Sequence, residues 1–168
     1  MLKVAKFEKV SKALFKEALL AEKNFDEAQI DEIYEAIKLP KRATAGSAGY
    51  DFYAPYAFTL NPNETIKIPT GIRVQIENGY YLGLFPRSSL GFKYRMHLNN
   101  TVGIIDSDYY YSDNEGHIFI KISNGSDKTI QVAQHNGVVQ GIFMPFMITY
   151  DDDATSVRNG GFGSTNEK

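Results

Sequence analysis

Cysteine and tryptophan are both absent from the 168-residue sequence. Without cysteine the chain forms no disulfide and offers no thiolate nucleophile, which is compatible with a reducing compartment. The sequence has no apolar run long enough to span a membrane, and its first ten residues are too charged for the apolar core of a signal peptide. We therefore expect a cytoplasmic protein without a membrane partner.

An excess of basic residues is also missing, since the formal net charge is -2. A general nucleic-acid-binding protein usually carries a positive excess, so we expect no nucleic-acid partner. A site for a small anion stays open, because a few local donors suffice for it. The three histidines, His97, His117 and His135, are scattered along the chain and indicate no metal site.

Residues 1–38 differ from the remainder in composition, because Ala, Glu, Lys and Leu dominate there and β-turn dipeptides are missing. Asp26 and Gln29 have the spacing of a capping box, and Pro40 would end the helix that follows them. A second helical stretch is expected near residues 10–22. The pattern predicts an N-terminal helical extension that packs on the rest of the chain or binds a protein partner.

From residue 44 onward the apolar residues recur with a period of two, as they do in residues 72–76 and 118–122. Residues 80–85 and 138–148 are near-continuous apolar runs, which are typical of strands buried on both faces. Many short strands separated by turn signals favour an all-β antiparallel sandwich or barrel.

We place this β domain at residues 39–150. The segment 151–168 is polar and Gly-rich, and we expect a mobile tail that becomes ordered only when something binds it.

Two segments near the first predicted strands carry polar groups that could serve a ligand. In residues 48–52, Asp51 would suit a position near a metal or a cation, although a glycine turn entering a strand looks the same. Residues 86–91 follow a buried strand, and the guanidinium of Arg87 with the adjacent hydroxyls would suit a phosphate. An ordinary surface turn is the alternative.

Residues 103–109 place Asp106 and Asp108 directly after an apolar run. A carboxylate that stays largely desolvated is a costly structural choice but a useful general base. The alternative is a strand end with a solvated aspartate.

Two further segments lie in the C-terminal part of the chain. Gln140 is a lone amide inside an apolar run, where it bonds to backbone or reaches a ligand. Residues 158–165 combine Arg158 with three glycines and two hydroxyls, as in loops that wrap polyphosphate, although linkers look similar. Phe162 has no core to join in this tail and would suit stacking on a base.

Taken together and in this order, the five segments resemble the five motifs of the trimeric dUTPase family, over residues 44–165. Residues 114–119 are similar to members from Gram-positive bacteria and their phages. The resemblance implies a jelly-roll-like β-barrel that forms a homotrimer, in which each active site draws motifs from all three subunits and the tail closes over a neighbouring site. It also implies hydrolysis of dUTP to dUMP and pyrophosphate, through attack of water on the α-phosphate.

The resemblance assigns the nucleoside end of the substrate to the third motif. Asp106 matches the general base, and Tyr109 matches the tyrosine that packs under the deoxyribose. Asn100 matches the start of the hairpin whose backbone reads uracil, and Gly103 and Ile105 are expected in the same binding site.

The resemblance assigns the phosphates to the other motifs. Mg²⁺ is expected on the phosphates, with waters linking it to Asp51. The residues implied in binding the phosphate chain and in closing the site are Arg87, Ser88, Ser89, Gly91, Gln140, Arg158, Phe162, Gly163 and Ser164, of which Phe162 would stack on uracil.

Three features depart from the family pattern. His135-Asn136-Gly137 stands where charged residues are usual, so contacts from that turn are in question. Residues 110–114 are additional in the third motif, and the N-terminal extension is longer than the fold requires.

Two alternatives remain open. A dCTP deaminase, or a bifunctional dCTP deaminase/dUTPase, shares the same barrel, but the stacking tail favours hydrolysis. A dUTP-responsive regulatory binding protein of the phage type would use the extension and the additional residues to bind its partner.

Overall fold

The computed structural model describes residues 1–158. Within them the chain forms β-strands, three α-helices and one 3-10 helix at Ser107–Tyr111. The α-helices are α1 (Lys12–Glu22), α2 (Glu27–Ala36) and α3 (Ser88–Tyr94). The strands are β1 (Ala5–Lys9), β2 (Lys41–Arg42), β3 (Tyr50–Tyr53), β4 (Phe58–Leu60), β5 (Thr65–Pro69), β6 (Ile72–Ile76), β7 (Tyr80–Pro86), β8 (Met96–Leu98), β9 (Gly103–Ile105), β10 (Phe119–Asn124), β11 (Ile130–Val132) and β12 (Gly137–Pro145).

The strands pair in antiparallel fashion into four sheets. The largest has the order β2-β3-β12-β7-β9, a second has the order β5-β10-β8, and the pairs β1-β6 and β11-β4 complete the set. The prediction of a mostly β fold is therefore confirmed. The strands of residues 1–158 do not close into one barrel, and the jelly-roll description stays a prediction.

The two apolar runs, β7 and β12, lie side by side near the middle of the five-stranded sheet. Their ladder ends where Pro145 faces Tyr80, so the next residues of the run have no partner strand. Met147 is 85% exposed, and Phe146 and Ile148 are exposed as well. The prediction of a buried strand over residues 138–148 is therefore wrong for its last three residues.

The N-terminal extension contains a strand that its sequence did not reveal. In β1 only Phe7 is a large apolar residue among charged neighbours, so the period of two is weak. This strand pairs with β6, from Ala5 opposite Ile76 to Lys9 opposite Ile72.

The two helices of the extension have the expected caps. The capping box of Asp26 and Gln29 is present in α2, and the Ser11 side chain caps α1. Both helices bury apolar side chains in the same core as the β domain, namely Phe15, Leu19, Ile30 and Ile33. None of the helices in residues 1–158 is long and apolar enough to cross a membrane.

Candidate active site

Three of the singled-out segments meet on neighbouring strands of the five-stranded sheet. Asp51 of β3 lies opposite Gln140 of β12, which in turn lies opposite Phe85 of β7. Arg87 follows the end of β7, and its Nε lies 3.2 Å from Asp51 Oδ1. The ladder register therefore gathers Asp51, Arg87 and Gln140, which we call the sheet cluster.

Two glycines allow the long side chains of the sheet cluster to lie close to the backbone. A Cβ at Gly49 would collide with the amide oxygen of Gln140, and a Cβ at Gly137 would lie 2.6 Å from Arg87 Nη1. The carbonyl of Gly137 also accepts a long hydrogen bond from Arg87 Nη1 (3.4 Å). The turn that lacks the usual charged residues thus contacts Arg87 through its backbone.

Residues 88–94 form the short helix α3 and not the surface turn that the sequence also allowed. Ser88 and Ser89 lie in its first turn, and both are exposed. The Gly91 N–H donates to the Arg87 carbonyl at 2.9 Å, so this donor is already used within the helix. The two serines therefore offer hydroxyls next to Arg87, whereas Gly91 offers no free backbone donor.

The predicted uracil-binding hairpin corresponds to β8, β9 and the turn between them, and the two strands lie in different sheets, where β8 pairs with β10 and β9 with β7. Its turn is closed by hydrogen bonds from Thr101 N–H to the Leu98 carbonyl and from Val102 N–H to the Asn100 carbonyl. A cavity of about 470 Å³ lies against this hairpin. It is lined by Asn99, Asn100, Gly103 and Ile105 together with Lys67, Leu84, Leu98, Phe119 and Lys121.

Tyr109 is held rigidly beside the hairpin. Its side chain is buried, its hydroxyl donates to the His117 carbonyl at 2.7 Å, and Asn114 Nδ2 donates to the same hydroxyl at 2.7 Å. Burial raises the pKa of Tyr109 above its usual value. The hydroxyl is thus a protonated structural group, and the ring is held in place. Asn100, Gly103, Ile105, Asp106 and Tyr109 are called the hairpin cluster below.

Asp106 directly follows β9 and precedes the 3-10 helix, where its carbonyl accepts from the Tyr109 N–H at 3.2 Å. Its side chain is 50% exposed. Of the two alternatives that the sequence left open, a desolvated carboxylate or a solvated aspartate at a strand end, the single chain has the second. The reason is local, because β9 ends at Ile105 and the chain turns outward at the edge of the sheet.

Arg158 joins the tail to the third motif. Its Nη2 lies 2.6 Å from Asp106 Oδ2, and its Nε lies 2.8 Å from Asp108 Oδ1. The guanidinium also lies 5.9 Å from the centre of the Tyr109 ring. The three remaining tail predictions, Phe162, Gly163 and Ser164, lie outside the described residues.

The two clusters occupy different places in one chain. In the part of the chain that the structure describes, none of the three residues of the sheet cluster lines the cavity against the hairpin. Residues 1–158 also contain no group of three His, Asp or Glu side chains arranged to hold a metal ion. Asp51 supplies the carboxylate of the sheet cluster, and it pairs with Arg87.

Sequence reasoning missed several groups that shape the site. Lys67 and Lys121 line the cavity, and Asn114 and His117 hold Tyr109. The additional residues 110–114 were the one available signal, since Asn114 belongs to them. The lysines gave no signal, because they reach the cavity from a sheet whose pairing cannot be read from local pattern.

Comparison with known proteins gives a consistent picture. A family model described as dUTPase matches residues 35–166. The deoxyuridine 5'-triphosphate nucleotidohydrolase of Lactococcus lactis subsp. lactis is 42% identical over 132 residues, which cover 77% of this chain and 88% of the relative. The enzyme of the same name from Chromobacterium violaceum is 38% identical and covers 76% of this chain and 87% of its own length.

Solved structures are similar as well. The dUTPase from Streptococcus mutans is 35% identical, with a TM-score of 0.63, and the match covers 85% of this chain and 97% of that chain. The dUTPase from phage phi11 of S. aureus is 18% identical, with a TM-score of 0.64, and the match covers 92% of this chain and 97% of that one. The second similarity concerns the fold alone.

Proposed function

This chain belongs to the dUTPase family and hydrolyses dUTP to dUMP and pyrophosphate, and we propose that Asp106 is the general base of the reaction. Its half-exposed carboxylate stands at the end of the hairpin that lines the cavity, where a water molecule can reach it. Asp106 takes a proton from that water while the water oxygen bonds to the α-phosphorus. The bond from the α-phosphorus to the bridging oxygen breaks, and pyrophosphate leaves.

The hairpin cluster binds the nucleoside in this proposal. The cavity beside Asn100, Gly103 and Ile105 is the support for a uracil site read by backbone groups of the hairpin. Tyr109 packs under the deoxyribose and leaves no room for a 2′-hydroxyl. Because two hydrogen bonds hold its hydroxyl, the ring cannot move aside for a ribonucleotide.

The sheet cluster and the tail bind the triphosphate. Arg87 and Gln140 contact the phosphates, with Ser88 and Ser89 as further donors. Arg158 and the following glycines of the tail bind the γ-phosphate, and Phe162 stacks on the uracil. Arg158 pairs with Asp106, and in this proposal the triphosphate competes for the guanidinium and frees the base.

Asp51 fits a water-mediated role toward Mg²⁺. A structure of the phage phi11 enzyme describes the coordination of a structural Mg(II) ion in that protein. In this chain Asp51 is a mostly covered carboxylate beside Arg87, which suits a link through water to an ion held by the phosphates. Mg²⁺ would supply charge neutralisation of the triphosphate, and Asp51 would orient its hydration shell.

We further propose a homotrimer with a jelly-roll barrel in each subunit and with shared active sites. The cavity against the hairpin is lined by none of the sheet cluster residues of the same chain, which supports a site in which the two clusters come from different subunits. Exposed apolar side chains at Ile104, Met147 and Val157 offer surface for a neighbouring subunit to cover. The tail, from residue 151, would then close over a neighbouring active site when dUTP binds, and Arg158 would leave the Asp106 of its own chain.

Release of pyrophosphate from dUTP, dCTP, dTTP and UTP tests the function directly. We expect turnover of dUTP alone, because the hairpin excludes the thymine methyl group and Tyr109 excludes the ribose hydroxyl. An assay of ammonia release from dCTP distinguishes the deaminase. Ammonia without pyrophosphate would overturn the proposal.

A further inference from the structure

The N-terminal extension contacts the segment that carries the proposed base. We call residues 106–117 the catalytic loop, since they run from Asp106 through the 3-10 helix to His117. Two direct hydrogen bonds join this loop to the extension, one at Tyr110 and one at Glu115. Neither could be expected from the sequence, because the partners lie about a hundred positions apart.

The contact at Tyr110 involves three side chains. The Tyr110 hydroxyl donates to Glu8 Oε2 at 2.6 Å. Arg73 lies over the Tyr110 ring, with 3.6 Å from its guanidinium carbon to the ring centre, and its Nη2 donates to the Tyr110 carbonyl at 2.9 Å. Glu8 and Arg73 face each other in the β1-β6 ladder. The strand that the extension adds therefore completes a clamp on Tyr110.

The other end of the loop is anchored to the same region. The Ser11 N–H, at the start of α1, donates to Glu115 Oε2 at 2.7 Å. Within the β domain, the Gly71 N–H donates to His117 Nε2 at 2.9 Å. Bonds from Lys6 and Tyr110 lower the pKa of Glu8, and the Ser11 bond lowers the pKa of Glu115, so both carboxylates are charged at neutral pH.

The clamp lies only a few bonds from the reacting groups. Tyr110 follows Tyr109 directly, and the Tyr109 N–H donates to the Asp106 carbonyl. A shift of Tyr110 would therefore move the tyrosine beneath the sugar and the carboxylate beside the α-phosphate together. Misplacement of a reacting group by about 1 Å can cost on the order of a hundredfold in rate.

We infer that the extension is a positioning element of the active site, in which Glu8, Tyr110 and Glu115 hold the catalytic loop in its reactive geometry. This inference rests on the proposed role of Asp106. It assigns a catalytic purpose to two departures from the family pattern, the long N-terminus and residues 110–114. These two segments bind each other.

A matched pair of tyrosine variants tests the inference. Tyr110→Phe removes the hydroxyl bond to Glu8 but keeps the ring under Arg73. Tyr34→Phe removes an equivalent bond, from Tyr34 to the Val10 carbonyl at 2.8 Å, that stays within the extension. We expect Tyr110→Phe to lower kcat about fivefold or more with KM nearly unchanged, and Tyr34→Phe to leave kcat unchanged.

Three further measurements separate positioning from general stability. The melting temperatures of the two variants should be similar, while hydrogen exchange in residues 106–115 should speed up in Tyr110→Phe alone. Glu8→Ala should lower kcat as Tyr110→Phe does, and the double variant should show no further loss. Glu8→Gln, which keeps an acceptor oxygen, should restore most of the activity.

Equal kcat values for Tyr110→Phe, Tyr34→Phe and the unmodified enzyme would overturn the inference. So would fully additive losses in the double variant. Failure of the proposed base would look different, because Asp106→Asn would then retain full turnover. If Asp106→Asn loses activity while Tyr110→Phe does not, the proposed base stands and only the positioning role of the extension is contradicted.

Discussion

The sheet cluster and the hairpin cluster each contain an aspartate that pairs with an arginine, but the two pairs are held differently. Arg87 and Asp51 belong to neighbouring segments of one sheet, and the Asp51 side chain is only 19% exposed. Arg158 comes from the tail, and its partner Asp106 is 50% exposed. The first arginine directly follows a strand of the sheet, whereas the second belongs to the tail, and we propose that it exchanges its partner for phosphate.

This difference indicates two ways to bind phosphate. The donors of the sheet cluster are preorganised by strand register and by the close approach that Gly137 allows. We propose that Arg158 of the tail leaves Asp106 when the triphosphate binds, which frees the base.

The largest effect is expected for Asp106→Asn, which keeps the shape of the side chain and removes the base. Its kcat should fall on the order of a hundredfold or more, with little change in KM. Asp108→Asn is the matched control, since both carboxylates bind Arg158. Steady-state kinetics that give equal losses for the two variants would show that only the ion pair matters.

A second effect concerns the loop that supports the hairpin cluster. Burial lowers the pKa of His117 from 6.5 to about 4, so the folded protein holds this ring neutral. The stabilisation is complete above the unfolded value of 6.5 and is lost as the pH falls toward 4. Protonation would remove the acceptor that Nε2 offers to the Gly71 N–H.

From pH 6.5 to about pH 5 we expect the free energy of unfolding to fall by roughly 2 kcal/mol from this group. Urea unfolding at fixed protein concentration measures it, and His117→Gln should flatten the dependence. The exposed His97 provides the control variant His97→Gln, which should keep the slope. A slope that survives in His117→Gln would assign it to other groups.

The smallest effect compares the two arginines. Arg87→Ala and Arg158→Ala should each lower kcat/KM about tenfold, because each removes a charged donor to phosphate. Only Arg87→Ala should lower the melting temperature, since it leaves the covered Asp51 without its partner. The exposed carboxylates that bind Arg158 are solvated after its removal. Equal melting temperatures for the two variants would show that Arg87 stabilises the fold no more than Arg158 does.

Local pattern was sufficient to predict much of the fold, whereas the roles of the candidate site residues came from the family resemblance. The capping box at Asp26 and the apolar runs of β7 and β12 were predictable because caps and periodicity act over a few residues. Strand β1 was not predictable, because its apolar and polar residues show little alternation and the strand depends on β6 for its pairing. The residues of the sheet cluster could be identified from the sequence, but their proximity could not be predicted, since it arises from the register between β3, β12 and β7.

The exposure of Asp106 and its pairing with Arg158 could not be predicted either. They depend on where β9 ends and on how the tail returns, and neither is a local property of the sequence. The same holds for the clamp on Tyr110, which needs Glu8 and Arg73 side by side on paired strands.

The central claim is that the sheet cluster and the hairpin cluster of one chain serve different active sites, and mixed trimers test it most directly. Asp106→Asn chains are co-expressed with Arg87→Ala/Gln140→Ala chains, purified through two tags and assayed at low dUTP. A working site then needs the hairpin cluster of the second chain and the sheet cluster of the first, so every mixed trimer has one working site of its three and should show about a third of the unmodified activity. A mixture no more active than the sum of its two parents would contradict the claim.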